Sequence, residues 1–271
     1  MKITVDGEEV HLSTGGREHR PDRPFVMFLH GAGFNHFTWV LQGRALAYDG
    51  YNIIAADMPG HCFSAGKPLE GIEAQAEWAL KVLDAVAAGA AVLVAHSQGG
   101  LIALEMARTA PERVRAIAFV ATAAAIPVNG QLIALAEKDP KAAYQNMVDW
   151  GYGSLAHLYE NTYPGASHLD FGLNVMAMGD PRALAADLRS CAAYDKGAAI
   201  AATLACPVLC VFAGEDRMTP VKFGKKLAGM IPQAEMHVIG DSGHTIPTER
   251  PRELNACLRS FLARLEQPAA A

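Results

Sequence analysis

Ser97, Asp216 and His244 are residues whose types and positions fit one piece of chemistry, attack by an activated hydroxyl. Ser97 stands in Val92-Leu93-Val94-Ala95-His96-Ser97-Gln98-Gly99-Gly100, where an apolar strand stops and a helix begins at once. A serine at such a junction occupies a sharp turn that lifts its hydroxyl above the sheet. The small residues Ala95 and Gly99 let strand and helix approach closely, in the pattern small-x-Ser-x-Gly, with alanine where the first glycine is usual. Such a hydroxyl needs a base near neutral pH, and the base needs a carboxylate that fixes its tautomer and stabilises its charged form. His244, in Gly240-Asp241-Ser242-Gly243-His244-Thr245, follows the last predicted strand, and Asp216, in Gly214-Glu215-Asp216-Arg217, follows the strand before it. All three then lie at the carboxyl ends of strands, on one edge of one sheet. Glu215 and Asp241 compete for the role of the acid. Position 215 points the opposite way along an extended segment, and Asp241 is near enough to His244 to do no more than brace its turn. The bland alternative for Ser97 is a helix N-cap, the commonest role of a serine ahead of a helix.

The elements that must position these residues are legible as short apolar runs at 25–29, 51–56, 90–95, 114–120, 207–213 and 235–239, separated by helical patterns at 74–88, 98–109, 220–230 and 251–265. Buried strands alternating with amphipathic helices predict an α/β framework with a mostly parallel sheet covered on both faces. Between residues 125 and 203 the alternation stops. This segment carries helix-like stretches at 130–138 and 181–193 and the aromatic residues Trp150, Tyr152, Tyr159, Tyr163 and Phe171. It reads as an inserted helical cap, residues 125–203, on a core formed by 1–124 and 204–271. The tail 267–271 is expected to fray.

Composition narrows the classes of function. The 271 residues suit one enzyme-sized domain with an insertion, and a net charge of −5 with scattered basic residues argues against a nucleic-acid partner. No apolar stretch approaches the roughly 20 residues needed to span a bilayer. The charged N-terminal segment does not read as a signal peptide, so no membrane association and a cytoplasmic location are the expectations. Five cysteines, an odd number without metal-type spacing, suit a reducing compartment. Cys206 and Cys210, on one face of a predicted strand, are about 13 Å apart and cannot bridge. No metal cluster and no cofactor are expected.

Two further motifs make a resemblance explicit. The first predicted strand leads into His30-Gly31-Ala32-Gly33-Phe34-Asn35-His36-Phe37-Thr38-Trp39, and a later loop reads Asp57-Met58-Pro59-Gly60-His61-Cys62-Phe63-Ser64. With the serine turn and the chain order Ser, Asp, His, the chain resembles the α/β-hydrolase fold superfamily from about residue 25 to residue 265. It departs at Ala95 and at Cys62, where glycine is usual. The resemblance implies acyl transfer, with His244 taking the Ser97 proton, Asp216 orienting His244, and the backbone N–H groups of Ala32 and Gln98 forming the oxyanion hole. Because those donors are backbone groups, Gln98→Ala is expected to be mild. His30, His61 and His96 read as loop-organising and Ser64 as a turn partner; His36 is a lesser candidate for the pocket mouth, its readier reading being a structural or surface group. Serine at the turn argues against relatives that use aspartate there, the haloalkane dehalogenases and epoxide hydrolases.

The implied activity is a cofactor-independent serine hydrolase acting on small to medium carboxylic esters or lactones, with a small-molecule substrate as partner and a monomer or homodimer as the assembly. Alternatives are a carbon–carbon bond hydrolase of diketone-type ring-cleavage products, for which Arg182 and Arg189 are the residues to hold a substrate carboxylate, and a non-metabolic ligand receptor on the same fold. The cap aromatics Trp150, Tyr152 and Tyr159 are more readily explained by the cap's own packing than by a pocket.

Overall fold

The predicted apolar runs pair into one sheet; those at its centre are apolar on both sides, whereas the last, Glu235–Ile239, is a largely exposed edge strand. The computed structural model describes residues 1–158 and 167–267. Among these, the strands are β1 (Lys2–Val5), β2 (Glu8–Ser13), β3 (Phe25–Leu29), β4 (Asn52–Ala56), β5 (Ala91–His96), β6 (Val114–Val120), β7 (Val208–Ala213) and β8 (Glu235–Ile239). They lie in the order β1-β2-β4-β3-β5-β6-β7-β8. Strands β3 to β8 are parallel, and β1 and β2 form an antiparallel hairpin whose second strand pairs antiparallel with β4. This is the α/β-hydrolase fold.

Successive side chains on each central strand enter opposite cores, which explains why the runs are continuous and not alternating. Val26, Phe28, Val92, Val94, Ala118, Val120, Leu209 and Val211 pack on one face with Leu254, Leu258, Phe261 and Leu262 of the C-terminal helix. Met27, Leu29, Leu93, Ala95, Ile117, Phe119, Cys210 and Phe212 pack on the other with Leu83, Ile102 and Leu227. The helices are α1 (Val40–Tyr48), α2 (Ile72–Ala85), α3 (Gln98–Thr109), α4 (Gly130–Lys138), α5 (Pro140–Gly151), α6 (Ser154–His157), α7 (His168–Met176), α8 (Ala183–Ala193), α9 (Gly197–Ala201), α10 (Val221–Met230), α11 (Ile246–Glu249) and α12 (Pro251–Leu265). Helices α4 to α9 all fall between β6 and β7. Tyr144, Met147, Val148, Tyr152, Met176, Leu184 and Leu188 of this segment form a third apolar cluster, which takes in Ala32 and Phe34 from the loop after β3. Tyr159 and Tyr163, and residues 268–271 of the expected fraying tail, lie outside the described residues. Among the described residues no helix is long and apolar enough to cross a membrane.

Candidate active site

Only one residue separates the end of β5 from the start of α3, and that residue, Ser97, adopts φ 52° and ψ −120°. A non-glycine residue in this left-handed region costs on the order of 1–3 kcal/mol, so the surroundings must impose it. They do so through the backbone. Ser97 N–H donates to Val120 O at 3.0 Å, and Ser97 O accepts from Gly100 N–H at 2.9 Å and from the Thr122 hydroxyl at 2.6 Å. A Cβ at Gly99 would collide with the Leu29 carbonyl oxygen, whereas the Ala95 side chain is buried in the apolar core. Position 99 therefore needs glycine and position 95 accommodates alanine. Gly99→Ala is expected to destabilise the fold by about 3 kcal/mol or more, read as a fall in thermal midpoint, because backbone must move away from backbone.

Cys62, the other departure from the usual glycine, has φ 43°, and its N–H donates to Met178 O at 3.0 Å. A side chain in that conformation costs about 1–2 kcal/mol. The hydrogen bond holds this loop against the segment that follows α7.

Asp216 and His244 meet as the sequence suggests. His244 Nδ1 lies 2.8 Å from Asp216 Oδ2, and both side chains are buried. Asp216 Oδ1 accepts the backbone N–H groups of Met218 at 2.8 Å and Thr219 at 2.7 Å. The Thr219 hydroxyl lies 2.8 Å from Asp216 Oδ2, 3.2 Å from His244 Nδ1 and 3.0 Å from Ala121 O. Burial pushes the Asp216 carboxyl up, but the His244 ring and the Thr219 donors outweigh it and hold the group below its usual range. Sequence reasoning passed over Thr219, three residues beyond the acid.

The histidine loop is clamped from the helical segment. His244 N–H donates to Gly151 O at 2.6 Å, and buried Glu249 accepts Gly153 N–H at 2.9 Å, Gly243 N–H at 3.1 Å and the Thr245 hydroxyl at 2.7 Å. Glu215, the rival acid, instead accepts from Ser154 N–H at 2.7 Å and the Ser154 hydroxyl at 3.0 Å. Asp241 is exposed.

His96 bridges the serine and the histidine. Its Nε2 donates to His244 O at 2.9 Å, its ring lies 4.7 Å from that of His244, and burial pushes its pKa down to about 3. A Cβ on Gly31 would lie 2.8 Å from His96 Nδ1 and 3.1 Å from the Ser97 Cβ, so the loop after β3 closes directly over the serine. No hydrogen bond joins Ser97 to His244 in this structure. Such bonds often tighten only with substrate in place.

Ser97 and Thr219 open onto a cavity of about 550 Å³ whose wall is mostly apolar, with Ala32, Ile126, Leu132, Met147 and Leu188 among its lining residues. Trp150 lines it and is exposed; Tyr152 is instead packed inside the helical cluster and stacks on His168. Gln98, first residue of α3, has a backbone N–H without a partner inside the helix. Its side chain is fully buried and donates to Gln75 Oε1 at 3.0 Å and Asp187 Oδ1 at 3.2 Å. That corrects the expectation that Gln98→Ala is mild, since truncation leaves buried polar partners unsatisfied.

His36 does not line the cavity; it donates to Asp57 Oδ1 at 2.8 Å through both its backbone N–H and Nδ1. The Ser64 hydroxyl donates to Asp57 O at 2.7 Å and accepts from His11 N–H at 3.0 Å. His11, His36 and Asp57 bring donor atoms within 4.8 Å of one another, a grouping invisible to sequence spacing. It lies away from the cavity wall, and its carboxylate is already occupied by His36. Arg182 pairs with Asp180, and Arg189 with Glu70 and Glu137, so neither faces the cavity.

A mostly parallel sheet carrying a serine on a strained strand-to-helix turn, with a buried His–Asp pair on the neighbouring loops, defines an α/β-hydrolase architecture. The model of the alpha/beta hydrolase family matches residues 26–256, and the chain belongs to that family. A Pseudomonas putida protein described as the dihydrolipoyllysine-residue acetyltransferase component of an acetoin cleaving system is 27% identical over 248 residues, 88% of this chain; the alignment spans 63% of that protein's length. A 2-hydroxy-6-oxononadienedioate/2-hydroxy-6-oxononatrienedioate hydrolase from a Pseudomonas species is 26% identical over 94% of this chain and 92% of its own. The crystal structure of the enol-lactonase from Burkholderia xenovorans LB400 superposes with a TM-score of 0.87 at 21% identity, covering 97% of this chain and 100% of that one.

Proposed function

We propose that the protein is a serine hydrolase that cleaves small to medium carboxylic esters or lactones through an acyl-enzyme, with Ser97 as nucleophile, His244 as base and Asp216 as its orienting acid. The observation that carries this reading is the buried Asp216–His244 pair held beside a cavity onto which Ser97 opens. His244 takes the Ser97 proton as Oγ attacks the carbonyl carbon, then returns it to the leaving alkoxide; water activated by the same ring releases the acid. The developing oxyanion is met by Ala32 N–H and Gln98 N–H. Residues 125–203 act as the cap that forms the cavity wall over the serine.

The cavity ranks substrates. Its apolar wall favours an uncharged acyl group, with each methylene that enters adding about 0.8 kcal/mol of binding. The carbon–carbon hydrolase reading has the Pseudomonas relative in its favour. It is weakened by Arg182 and Arg189, which are spent in surface ion pairs. Arg217, on the cavity wall, turns Nη2 toward Tyr152 O at 3.2 Å and Asp149 O at 3.4 Å.

Initial rates on p-nitrophenyl esters from acetate to dodecanoate test this ranking. The expected result is kcat/KM rising by up to about fourfold per methylene for the shorter acids and falling once the chain outgrows the cavity. No turnover of any ester, with hydrolysis of a vinylogous diketone acid, would reverse the ranking.

A further inference from the structure

A buried acid on α8 gathers four separate segments around the site. Asp187 Oδ2 accepts Gly33 N–H at 2.8 Å and His61 Nε2–H at 3.0 Å. Asp187 Oδ1 accepts the side-chain amides of Gln75 at 3.1 Å and Gln98 at 3.2 Å. These donors come from the loop after β3, the loop after β4, helix α2 and the residue that follows Ser97. His61 faces acceptors on both sides, Asp187 at Nε2 and Pro59 O at 3.1 Å from Nδ1, so both ring nitrogens carry protons. Burial pushes the His61 ring down, but Asp187 outweighs it and holds the ring above its ordinary value. Burial likewise pushes the Asp187 carboxyl up, and His61 with the Gly33 N–H brings it below the usual range. Neighbouring His30, with ring centroids 5.1 Å apart, differs: Nε2 accepts Met58 N–H, Nδ1 donates to Gly31 O, and burial pushes it down to about 4. The pair beside the site is thus one charged acid and one charged histidine, with a neutral histidine alongside.

Seating a helix does not require a buried ion pair, since apolar residues of similar volume often do as well or better. The carboxylate supplies what a leucine would not. By holding Gly33 N–H it fixes the plane of the peptide that follows Ala32, and by holding the Gln98 amide it fixes the first turn of α3. We propose that Asp187 is a positioning residue that makes the alignment of the two oxyanion donors, Ala32 N–H and Gln98 N–H, depend on the seating of α8. The proposal rests on the serine-hydrolase reading above. Leu188 and Cys191 of the same helix line the cavity, so a substrate that fills the cavity bears on the helix that carries Asp187. Substrate occupancy and oxyanion alignment are thereby linked.

Asp187→Asn tests this. One of its two positions becomes an amide N–H that faces donors, either Gly33 and His61 or the two glutamines, so one anchor is lost while volume is kept. The expected result on p-nitrophenyl butyrate is a kcat lower by about ten- to a hundredfold with KM within about twofold, since a donor displaced by a fraction of an ångström weakens the transition state more than the ground state. Affinity for a trifluoromethyl ketone, whose serine adduct carries an oxyanion, should fall in parallel, and exposed Arg182→Ala should match the wild type. If Asp187→Asn does not fold, His61→Gln, which replaces the cationic partner by a neutral donor, should lower kcat severalfold in the same way. A folded variant with wild-type kcat and ketone affinity but a lower thermal midpoint would make Asp187 a brace only and overturn the proposal. Wild-type rates no higher than those of Ser97→Ala would overturn the underlying reading, and this one with it.

Discussion

Ser97→Ala is expected to lower kcat/KM on the best p-nitrophenyl ester by about 10⁴-fold or more, with the fold and the binding of a competitive product unchanged. In the proposed mechanism the chemistry fails because the atom that attacks the carbonyl is gone. The fold survives because the turn is held by the Ser97 N–H and C=O groups, through Val120, Gly100 and Thr122, and not by its hydroxyl. Alanine at φ 52° carries a strain similar to that of serine, so the thermal midpoint should move little. A variant that keeps more than a few per cent of the wild-type rate would mean that the esters are cleaved by another group.

Asp216→Asn should cost about as much, near 10⁴-fold, by a different route. Asp216 Oδ1 is fixed as an acceptor by the N–H groups of Met218 and Thr219, so the asparagine carbonyl oxygen takes that position. Its NH₂ then faces His244 Nδ1, where the acid's Oδ2 stood. An amide donor there forces Nδ1 to accept and places the ring proton on Nε2, the nitrogen that the proposed mechanism needs free to take the serine proton. KM should change little. Loss of the rate plateau near neutral pH, with partial recovery at high pH where serine needs less help, is the accompanying signature; an unaltered pH profile at wild-type rate would remove Asp216 from the machinery.

The central strands were legible because burial on both faces leaves no alternation to misread, and the exposed edge strand β8 because its Met236, Val238 and Ile239 follow the helix before it. The runs at 25–29, 114–120 and 235–239 correspond to β3, β6 and β8 residue for residue, and the other three shift by a residue at their ends. The hairpin of β1 and β2 was passed over. Its apolar residues Val5, Val10 and Leu12 are interleaved with charged and polar ones because this edge is half solvated, and the signal that marks it is the two-residue turn Asp6-Gly7. Helix α1 was missed as well, its apolar stripe being short and interrupted by Gly43.

Within the site, Ser97, Asp216 and His244 could be picked out because each follows a strand and has a motif around it. Asp187, Gln75, Thr219 and Glu249 could not. Asp187 stands in an alanine-rich helical run and its partners at 33, 61, 75 and 98 come from remote segments, so only the fold makes it more than a surface acid. Glu249 similarly acts on backbone groups at 153 and 243 that no side-chain motif records. Gln98 shows the limit of motif reasoning most clearly: the motif accounts for its backbone N–H and is silent about its side chain.

The central claim is a covalent acyl-enzyme on Ser97, and the most direct measurement is the intact mass and peptide map of the protein after brief exposure to diethyl p-nitrophenyl phosphate. One diethylphosphoryl group per chain on Ser97, formed with release of one equivalent of p-nitrophenol and absent from Ser97→Ala, is the expected result. Modification at another residue, or continued ester turnover with Ser97 unmodified, would contradict the account.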